Sequence, residues 1–135
     1  MIVVDTNVIA YLWIPGPRNA AASALLSRDD GWVAPPLWRS ELRNVLATLL
    51  RAGQLTLEKA ASVAALAEEQ MESSEVGVAS RAVLELASSS GCSAYDCEFV
   101  ALARSLEIRL VTADRRLVKA FPGVAMLLED AVEAR

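Results

Sequence analysis

Short β-branched segments alternate along the chain with longer amphipathic segments, and this alternation limits the possible folds more than any other feature. Proline, glycine and helix-capping residues mark where the segments begin and end. Strands are predicted over residues 2–4, 32–34, 75–79, 108–112 and 124–128, and helices over residues 6–13, 19–27, 36–52, 56–71, 80–89, 94–106 and 114–120. Strands separated by helices pair in parallel, so we expect an α/β fold with a central parallel β-sheet and helices on both faces.

The size of the chain indicates one domain over residues 1–135, because 135 residues are too few for two domains with full cores. Hydrophobic residues make up 54% of the sequence. The longest apolar run, residues 8–14, is nevertheless far shorter than the ~20 residues of a membrane-spanning helix. No basic region or cleavage site precedes the strand that begins at Ile2. We therefore expect a cytoplasmic protein that makes no use of a membrane.

The sequence contains no histidine. This excludes a Ser-His-Asp triad, a Cys-His pair and every zinc site that needs imidazole, so a hydrolase of this composition depends on carboxylates and a metal. The spacing of Cys92 and Cys97 matches neither a redox pair nor a zinc knuckle, and both are predicted to be thiols in or near the packed interior. The net charge of −4 argues against nucleic-acid binding through the whole surface, although local basic clusters remain available.

Two acidic residues follow predicted strands. Asp5 closes the first strand, and Asp114 comes soon after the strand over residues 108–112. Ligands of open parallel sheets bind beyond the carboxyl ends of the strands, so both side chains are expected at the same edge. Either residue, taken alone, is equally well explained as a helix N-cap.

Glu41 lies inside a predicted helix, between Leu37 and Val45 on the flank of its apolar stripe. A carboxylate placed there needs a partner, because burying an unpaired charge is costly. A metal ion would be such a partner, and an ion pair with Arg39 or Arg43 is the alternative.

Asp96 repeats this pattern in the helix over residues 94–106, at the edge of the buried stripe. Ser93, three residues earlier, resembles the first residue of a capping box, a role compatible with metal binding by Asp96. Glu98 is predicted to lie nearer the opposite face and to be solvated.

Four carboxylates that converge on one pocket cannot all stay ionised without a cation. Ligands that are all oxygen suit Mg²⁺ or Mn²⁺, and the corresponding chemistry is the activation of water against a phosphodiester. Thr6, Asn7 and Thr112 would orient that water or the acids, although each also suits a turn or cap. The expected metal-binding residues are Asp5, Glu41, Asp96 and Asp114.

These motifs resemble the PIN domain, especially the VapC-type toxins of bacterial and archaeal toxin–antitoxin pairs. The resemblance spans essentially the whole chain. It rests on Asp5-Thr6-Asn7 after the first strand, Glu41 near the start of a helix, Tyr95-Asp96 at the head of another, and Leu110-Val111-Thr112-Ala113-Asp114.

The resemblance implies an Mg²⁺- or Mn²⁺-dependent endoribonuclease that forms homodimers and is neutralised by a small antitoxin. The family's metal-binding acids fall on the four acids above, with Thr112 as a polar member of the site. We expect RNA-backbone contacts beside the site, from Arg115, Arg116, Lys119, Arg39 and Arg43.

The expected antitoxin inserts a cationic side chain among the carboxylates. Trp13 and Trp32, or the helices from Pro36 and Thr56, would supply a groove for the rest of it. Alternative functions are a related metal nuclease in RNA processing or acting on DNA, a receiver-like phosphotransfer domain, and a non-catalytic binding module of the same fold. The receiver-like alternative is disfavoured because Asp5 is followed by Thr6 and Asn7 rather than by a further acidic pair.

Overall fold

Four parallel strands form the centre of the structure, a computed structural model that describes residues 1–133. The strands are β1 (Ile2–Val4), β2 (Trp32–Val33), β3 (Leu110–Thr112) and β4 (Ala125–Leu127). Their order in the sheet is β2-β1-β3-β4, and each neighbouring pair is parallel. The predicted fold class, a parallel α/β sheet flanked by helices, is confirmed.

Helices connect the strands. They are α1 (Thr6–Trp13), α2 (Asn19–Arg28), α3 (Trp38–Arg51), α4 (Leu57–Met71), α5 (Ser80–Ser90), α6 (Ala94–Leu106), α7 (Arg115–Ala120) and α8 (Leu128–Glu133). Cap residues set several boundaries: the Thr56 hydroxyl accepts a hydrogen bond from the Lys59 N–H at the start of α4, and Gly91 ends α5 with a left-handed backbone (φ 75°). None of the helices within residues 1–133 is long and apolar enough to cross a membrane.

One predicted element is absent from the described residues, and one observed helix was not predicted. Residues 75–79 were predicted to form a strand, but they make only one isolated bridge, between Ala34 and Glu75. Pro35 and Pro36 follow Ala34 and have no N–H to donate, so the ladder cannot extend past this point. The chain also folds into α8 directly after β4, where the sequence lacks a helix-capping residue.

The core lies on both faces of the sheet. The central strands are fully buried at Val3, Val4, Leu110 and Val111. Such continuous burial is typical of parallel strands covered by helices. Cys97 packs in this core and Cys92 is half-buried, and both are free thiols, as predicted.

Glu75 anchors the segment between α4 and α5. Its carboxylate accepts a hydrogen bond from the buried Trp38 indole N–H at 2.9 Å and two from the Arg39 guanidinium, at 2.7 and 3.1 Å. The Arg39 hydrogen bond holds the pKa of Glu75 below its usual range. This cluster therefore joins the segment to the first turn of α3.

We expect Glu75→Ala to lower the free energy of unfolding by about 1–3 kcal/mol, because the buried Trp38 N–H then lacks an acceptor. Glu75→Gln keeps an acceptor and should lose less. Urea unfolding at pH 7 measures both changes.

Glu85→Ala is the matched control, because Glu85 pairs with Arg81 in an exposed ion pair on α5 and should contribute little. Equal losses from Glu75→Ala and Glu85→Ala would contradict the anchoring role of Glu75.

Candidate active site

Asp5 lies at the carboxyl end of β1 and is only 8% exposed. Its Oδ1 accepts a hydrogen bond from the Thr6 N–H at 2.8 Å, and its Oδ2 accepts one from the Thr112 hydroxyl at 2.7 Å. The side chain is therefore both the N-cap of α1 and a group at the edge of the sheet. The helix cap and the sheet-edge position, which the sequence offered as alternatives for Asp5, are therefore compatible.

Glu41 lies in the first turn of α3, where its Oε1 accepts a hydrogen bond from the Thr6 hydroxyl at 2.7 Å. Arg39 and Arg43 do not pair with it. Both arginines form ion pairs with Glu68 of α4 instead. The alternative of a Glu41–arginine pair is therefore wrong, and a threonine hydroxyl takes that place.

Asp96 and Asp114 lie at the starts of α6 and α7. The Ser93 hydroxyl caps α6 by accepting a hydrogen bond from the Asp96 N–H at 3.1 Å. Asp114 caps α7, because its Oδ1 accepts a hydrogen bond from the Arg116 N–H at 2.9 Å. Both predicted cap interactions are confirmed, and they leave each acid at the edge of the sheet.

The turns after β1 and β3 are joined by side chains. Asn7 Oδ1 accepts a hydrogen bond from the Ala113 N–H at 3.2 Å, and the Thr112 hydroxyl accepts one from the Asp114 N–H at 3.0 Å. Since Thr112 also donates to Asp5, one buried hydroxyl positions groups from both turns. Thr112 thus contacts the Asp5 carboxylate and the Asp114 backbone, and Asn7 joins the turn after β1 to the turn after β3.

One cavity of about 460 Å³ brings the acids together. It is lined by four carboxylates, those of Asp5, Glu41, Asp96 and Asp114. The rest of its wall is neutral and consists of Thr6, Asn7, Leu37, Ser40, Asn44, Val45 and Tyr95. Within residues 1–133, no lysine or arginine lines this cavity. Asp5 accepts hydrogen bonds from the Thr6 N–H and the Thr112 hydroxyl, and Glu41 accepts one from the Thr6 hydroxyl.

Burial, and then the charges of neighbouring carboxylates, raise the pKa values of Asp5, Glu41 and Asp96. Burial, together with the charges of Glu41 and Asp96, raises the pKa of Asp5 from 3.8 to about 6, although hydrogen bonds from Thr112 and Thr6 oppose the rise. Burial and then the charges of Asp96 and Glu98 raise the pKa of Glu41. Repulsion of this kind is relieved by a cation.

Burial and then the charge of Asp114 raise the pKa of Asp96. The nearby positive charge of Arg116 lowers the pKa of Asp96. Asp96 therefore lies where the acidic cavity meets the basic side chains of α7.

The chemistry of these groups fits Mg²⁺ or Mn²⁺, since every donor is a hard oxygen and no thiol lines the cavity among the described residues. The arrangement is not yet a coordination shell, because no group of three or more acidic or thiol side chains in residues 1–133 is close enough to hold an ion. Hydroxyl groups of Thr6 and Thr112 hold Glu41 and Asp5 at separate points of the wall.

Several cavity residues were not predicted from the sequence. Ser40, Asn44 and Tyr95 line the wall beside the acids. Helical spacing carried the signal for α3: residues 37, 40, 41, 44 and 45 share one face, which had been assigned in part to the core. Glu98 was predicted to be solvated, but it is half-buried and close enough to Glu41 to affect its pKa.

The predicted RNA-binding residues divide into three groups. Arg116 and Lys119 line a second cavity, which adjoins the first. Arg115 is exposed and lines neither cavity. Arg39 and Arg43 line neither cavity and form ion pairs with Glu68 on the side of α3 that faces α4.

The prediction that Trp32 supplies a groove for a partner is wrong, whereas Trp13 and the helices from Pro36 and Thr56 stay predictions for that groove. Trp32 is buried in β2, and the Trp13 indole N–H donates a hydrogen bond to Gln70 Oε1 at 2.8 Å. These side chains therefore belong to the packing of strands and helices.

Comparison with known proteins identifies the class of this fold and site: residues 2–121 match the PIN domain, and the chain belongs to the PIN-domain family. The chain is 29% identical over 126 residues to Ribonuclease VapC3 of Pyrobaculum aerophilum. The match covers 91% of this chain and 96% of that protein. This similarity supports the resemblance to VapC-type proteins.

Two solved structures share the fold. PAE2754 from Pyrobaculum aerophilum has a TM-score of 0.79 and 21% identity, and the match covers 98% of this chain and 93% of that chain. FitAcB from Neisseria gonorrhoeae has a TM-score of 0.71 and 20% identity, and the match covers 96% of this chain and 99% of that chain. The PIN architecture thus extends over nearly the whole chain.

Asp5→Asn should stabilise the fold in a chelating buffer at pH 7.5. A carboxyl whose pKa rises from 3.8 to about 6 on folding destabilises the folded state once it is ionised, by at most about 3 kcal/mol. The asparagine weakens the hydrogen bond from Thr112, so we expect a net gain of about 1–2 kcal/mol in the free energy of unfolding.

Asp5 contributes to stability in the opposite sense to the acids that cause acid denaturation, because its contribution improves as the pH falls. Because the folded pKa lies above the unfolded one, the penalty is complete above about pH 6 and is relieved as the pH falls toward 3.8. The difference between Asp5→Asn and the parent, measured by urea unfolding, should therefore shrink between pH 7 and pH 4.5. Asp30→Asn, at an exposed position, is the control. A stabilisation that does not depend on pH would contradict this account.

Proposed function

We propose that this chain is an Mg²⁺- or Mn²⁺-dependent endoribonuclease that hydrolyses RNA phosphodiesters. One observation carries the proposal: four carboxylates from separate parts of a PIN-domain chain line a single cavity beyond the carboxyl ends of its parallel strands. The 29% identity to a protein named as a ribonuclease supports RNA as the substrate.

Asp5, Glu41, Asp96 and Asp114 would hold the ion in this cavity. A bound divalent cation supplies two things there, a lowered pKa for attacking water and charge stabilisation for the phosphoryl oxygens. Oxygen ligands alone are the usual environment for both ions.

The chain's own residues orient the acids for this work. Thr112 fixes one oxygen of Asp5, and Thr6 fixes one oxygen of Glu41. Each hydroxyl also stabilises the ionised form of its carboxylate, which the ion requires. Because the pKa of Asp5 is raised, this acid gains a proton earlier than an exposed aspartate when the pH falls. We therefore propose that metal affinity weakens at acidic pH.

Asp5→Asn and Asp96→Asn should each lower the cleavage rate by about 100-fold or more, because a lost anionic ligand removes at least about 3 kcal/mol of stabilisation from the metal and the transition state. The measurement is cleavage of labelled single-stranded RNA in Mg²⁺ and in Mn²⁺, with and without a chelator. Glu58→Gln, at an exposed position on α4, is the control and should cleave like the parent.

Parallel assays on single-stranded DNA, double-stranded DNA and a phosphate monoester test the alternatives. Faster cleavage of DNA would favour a DNA nuclease of the same fold. If calorimetric titration showed that the ion binds but no cleavage occurred in Mg²⁺ or in Mn²⁺, a non-catalytic binding module would be favoured. Full activity of both aspartate variants in Mn²⁺ would contradict the assignment of the site.

We also propose that the chain is the toxin of a VapBC-type pair, a homodimer held inactive by a small antitoxin. The VapC-type resemblance supports both parts. The cavity adds a physical reason, because it holds four carboxylates and no lysine or arginine from residues 1–133. An arginine fork of a partner would pair with such carboxylates in bidentate fashion. For the homodimer, five large aliphatic side chains of the described residues remain at least a third exposed, those of Met1, Leu57, Leu66, Leu84 and Leu106.

A cationic side chain in the cavity would compete with the divalent ion. Inhibition by the antitoxin should therefore weaken as the Mg²⁺ concentration rises, and a matched titration with NaCl at equal ionic strength separates competition from screening. Light scattering of the purified chain reports whether it is a dimer. Harmless expression in the native host, with the metal bound and no small protein copurifying, would exclude the toxin and leave a housekeeping nuclease.

A further inference from the structure

We propose that two adjoining cavities form one groove for a single strand of RNA, with a base stacked on Tyr95 and a backbone phosphate held by Arg116 and Lys119. This inference rests on the proposed ribonuclease function and assigns the residues that position its substrate. The bond to be cut would lie where the cavities meet, beside Asp96 and Asp114.

The two cavities have different electrostatic character. The first, of about 460 Å³, has four carboxylates and a neutral wall. The second, of about 500 Å³, shares Asp96 and Asp114 with the first and adds the cations Arg116 and Lys119. A strand that crosses this boundary meets the acidic site on one side and positive charge on the other. Since the net charge of the chain is −4, such local cations matter for a polyanion.

Tyr95 supplies an aromatic surface in the first cavity. It precedes Asp96 in the first turn of α6, lines the cavity, and is 63% exposed. Within residues 1–133, the Tyr95 hydroxyl makes no hydrogen bond. Leu37 and Val45 add apolar surface to the same cavity. An exposed ring beside neutral and apolar walls suits a stacked nucleobase.

Arg116 and Lys119 lie three residues apart on α7 and so share one face of that helix. Arg116 contacts Asp114 at 3.6 Å, but 90% of its side chain is exposed, so it is free to reach a phosphate. Ser90 and Ser93 bring hydroxyl groups to the same cavity. These groups suit a phosphate of the nucleotide next to the cleaved bond.

A base that stacks on Tyr95 cannot remain stacked and paired in a duplex. The groove therefore favours single-stranded or looped RNA over double helices, because opening a duplex costs unstacking energy. This selectivity follows from the position of an aromatic side chain and needs no contact with base edges.

The test combines altered RNA with altered protein. In a single-stranded RNA that the parent cuts, each base near the cut is replaced in turn by an abasic site, and each phosphate by an uncharged methylphosphonate. The proteins are the parent, Tyr95→Ala, Tyr95→Phe, Arg116→Ala, Lys119→Ala and the control Lys59→Ala, at an exposed position on α4.

We expect one abasic position to slow the parent and Tyr95→Phe about tenfold, as loss of a stacked base should. The same position should not slow Tyr95→Ala further, because the interaction is already missing. One methylphosphonate should likewise slow the parent more than it slows Arg116→Ala or Lys119→Ala, because each variant has already lost one of the two cations at that phosphate. Lys59→Ala should match the parent on every substrate.

A binding arm keeps the groove testable if cleavage is not observed. In the Asp5→Asn background, fluorescence anisotropy measures binding of the unmodified strand across a range of salt concentrations. Arg116→Ala and Lys119→Ala should each lower the salt slope by about one, and Tyr95→Ala should weaken binding about tenfold.

The outcomes separate the two proposals. Binding changes as expected, without cleavage by the parent, would retain the groove and overturn the nuclease. Cleavage by the parent, with every abasic and methylphosphonate effect unchanged in the variants, would retain the nuclease and overturn the groove. If the variants bound and cut RNA like the parent but lost inhibition by the antitoxin, this face would be a protein interface and the RNA groove would be wrong.

Discussion

The hydrogen bond between the Thr112 hydroxyl and Asp5 is the contact on which the site depends. It joins residues 107 positions apart in the sequence, both of them buried. Parallel pairing of β1 with β3, in the register Val4 to Val111, places the ends of these strands side by side. The hydrogen bond therefore depends on the pairing of β1 with β3, and it fixes the orientation of the Asp5 carboxylate.

The stability of the fold and the proposed function make opposite demands at this point. Burial and neighbouring charges raise the pKa of Asp5 to about 6, so its ionised form destabilises the folded chain near neutral pH. Hydrogen bonds from Thr6 and Thr112 offset only part of this penalty. The divalent ion of the proposed function would relieve the same repulsion, so its binding would be coupled to folding. Perturbed acids of this kind are typical of functional sites.

The sequence was sufficient for the strand-end acids and for the fold class, because both follow from local order: a strand, a turn and a helix fix where Asp5 and Asp114 lie. It also placed Glu41 and Asp96 beside apolar stripes. It could not show which surfaces meet. Whether residues 75–79 form a strand depended on the prolines that follow β2. The position of Arg39 depended on its ion pair with Glu68 of a helix distant in sequence.

Helix α3 shows how one helix serves the core and the site together. Its buried face carries Trp38, Leu42 and Leu46, while Glu41 faces the cavity. At ~100° per residue, a small rotation of the helix would move Glu41 away from the Thr6 hydroxyl. The bonds from Trp38 and Arg39 to Glu75 resist that rotation from the first turn. A segment that forms no strand of its own therefore helps to fix the direction of Glu41, because it holds two residues in the same turn of the helix.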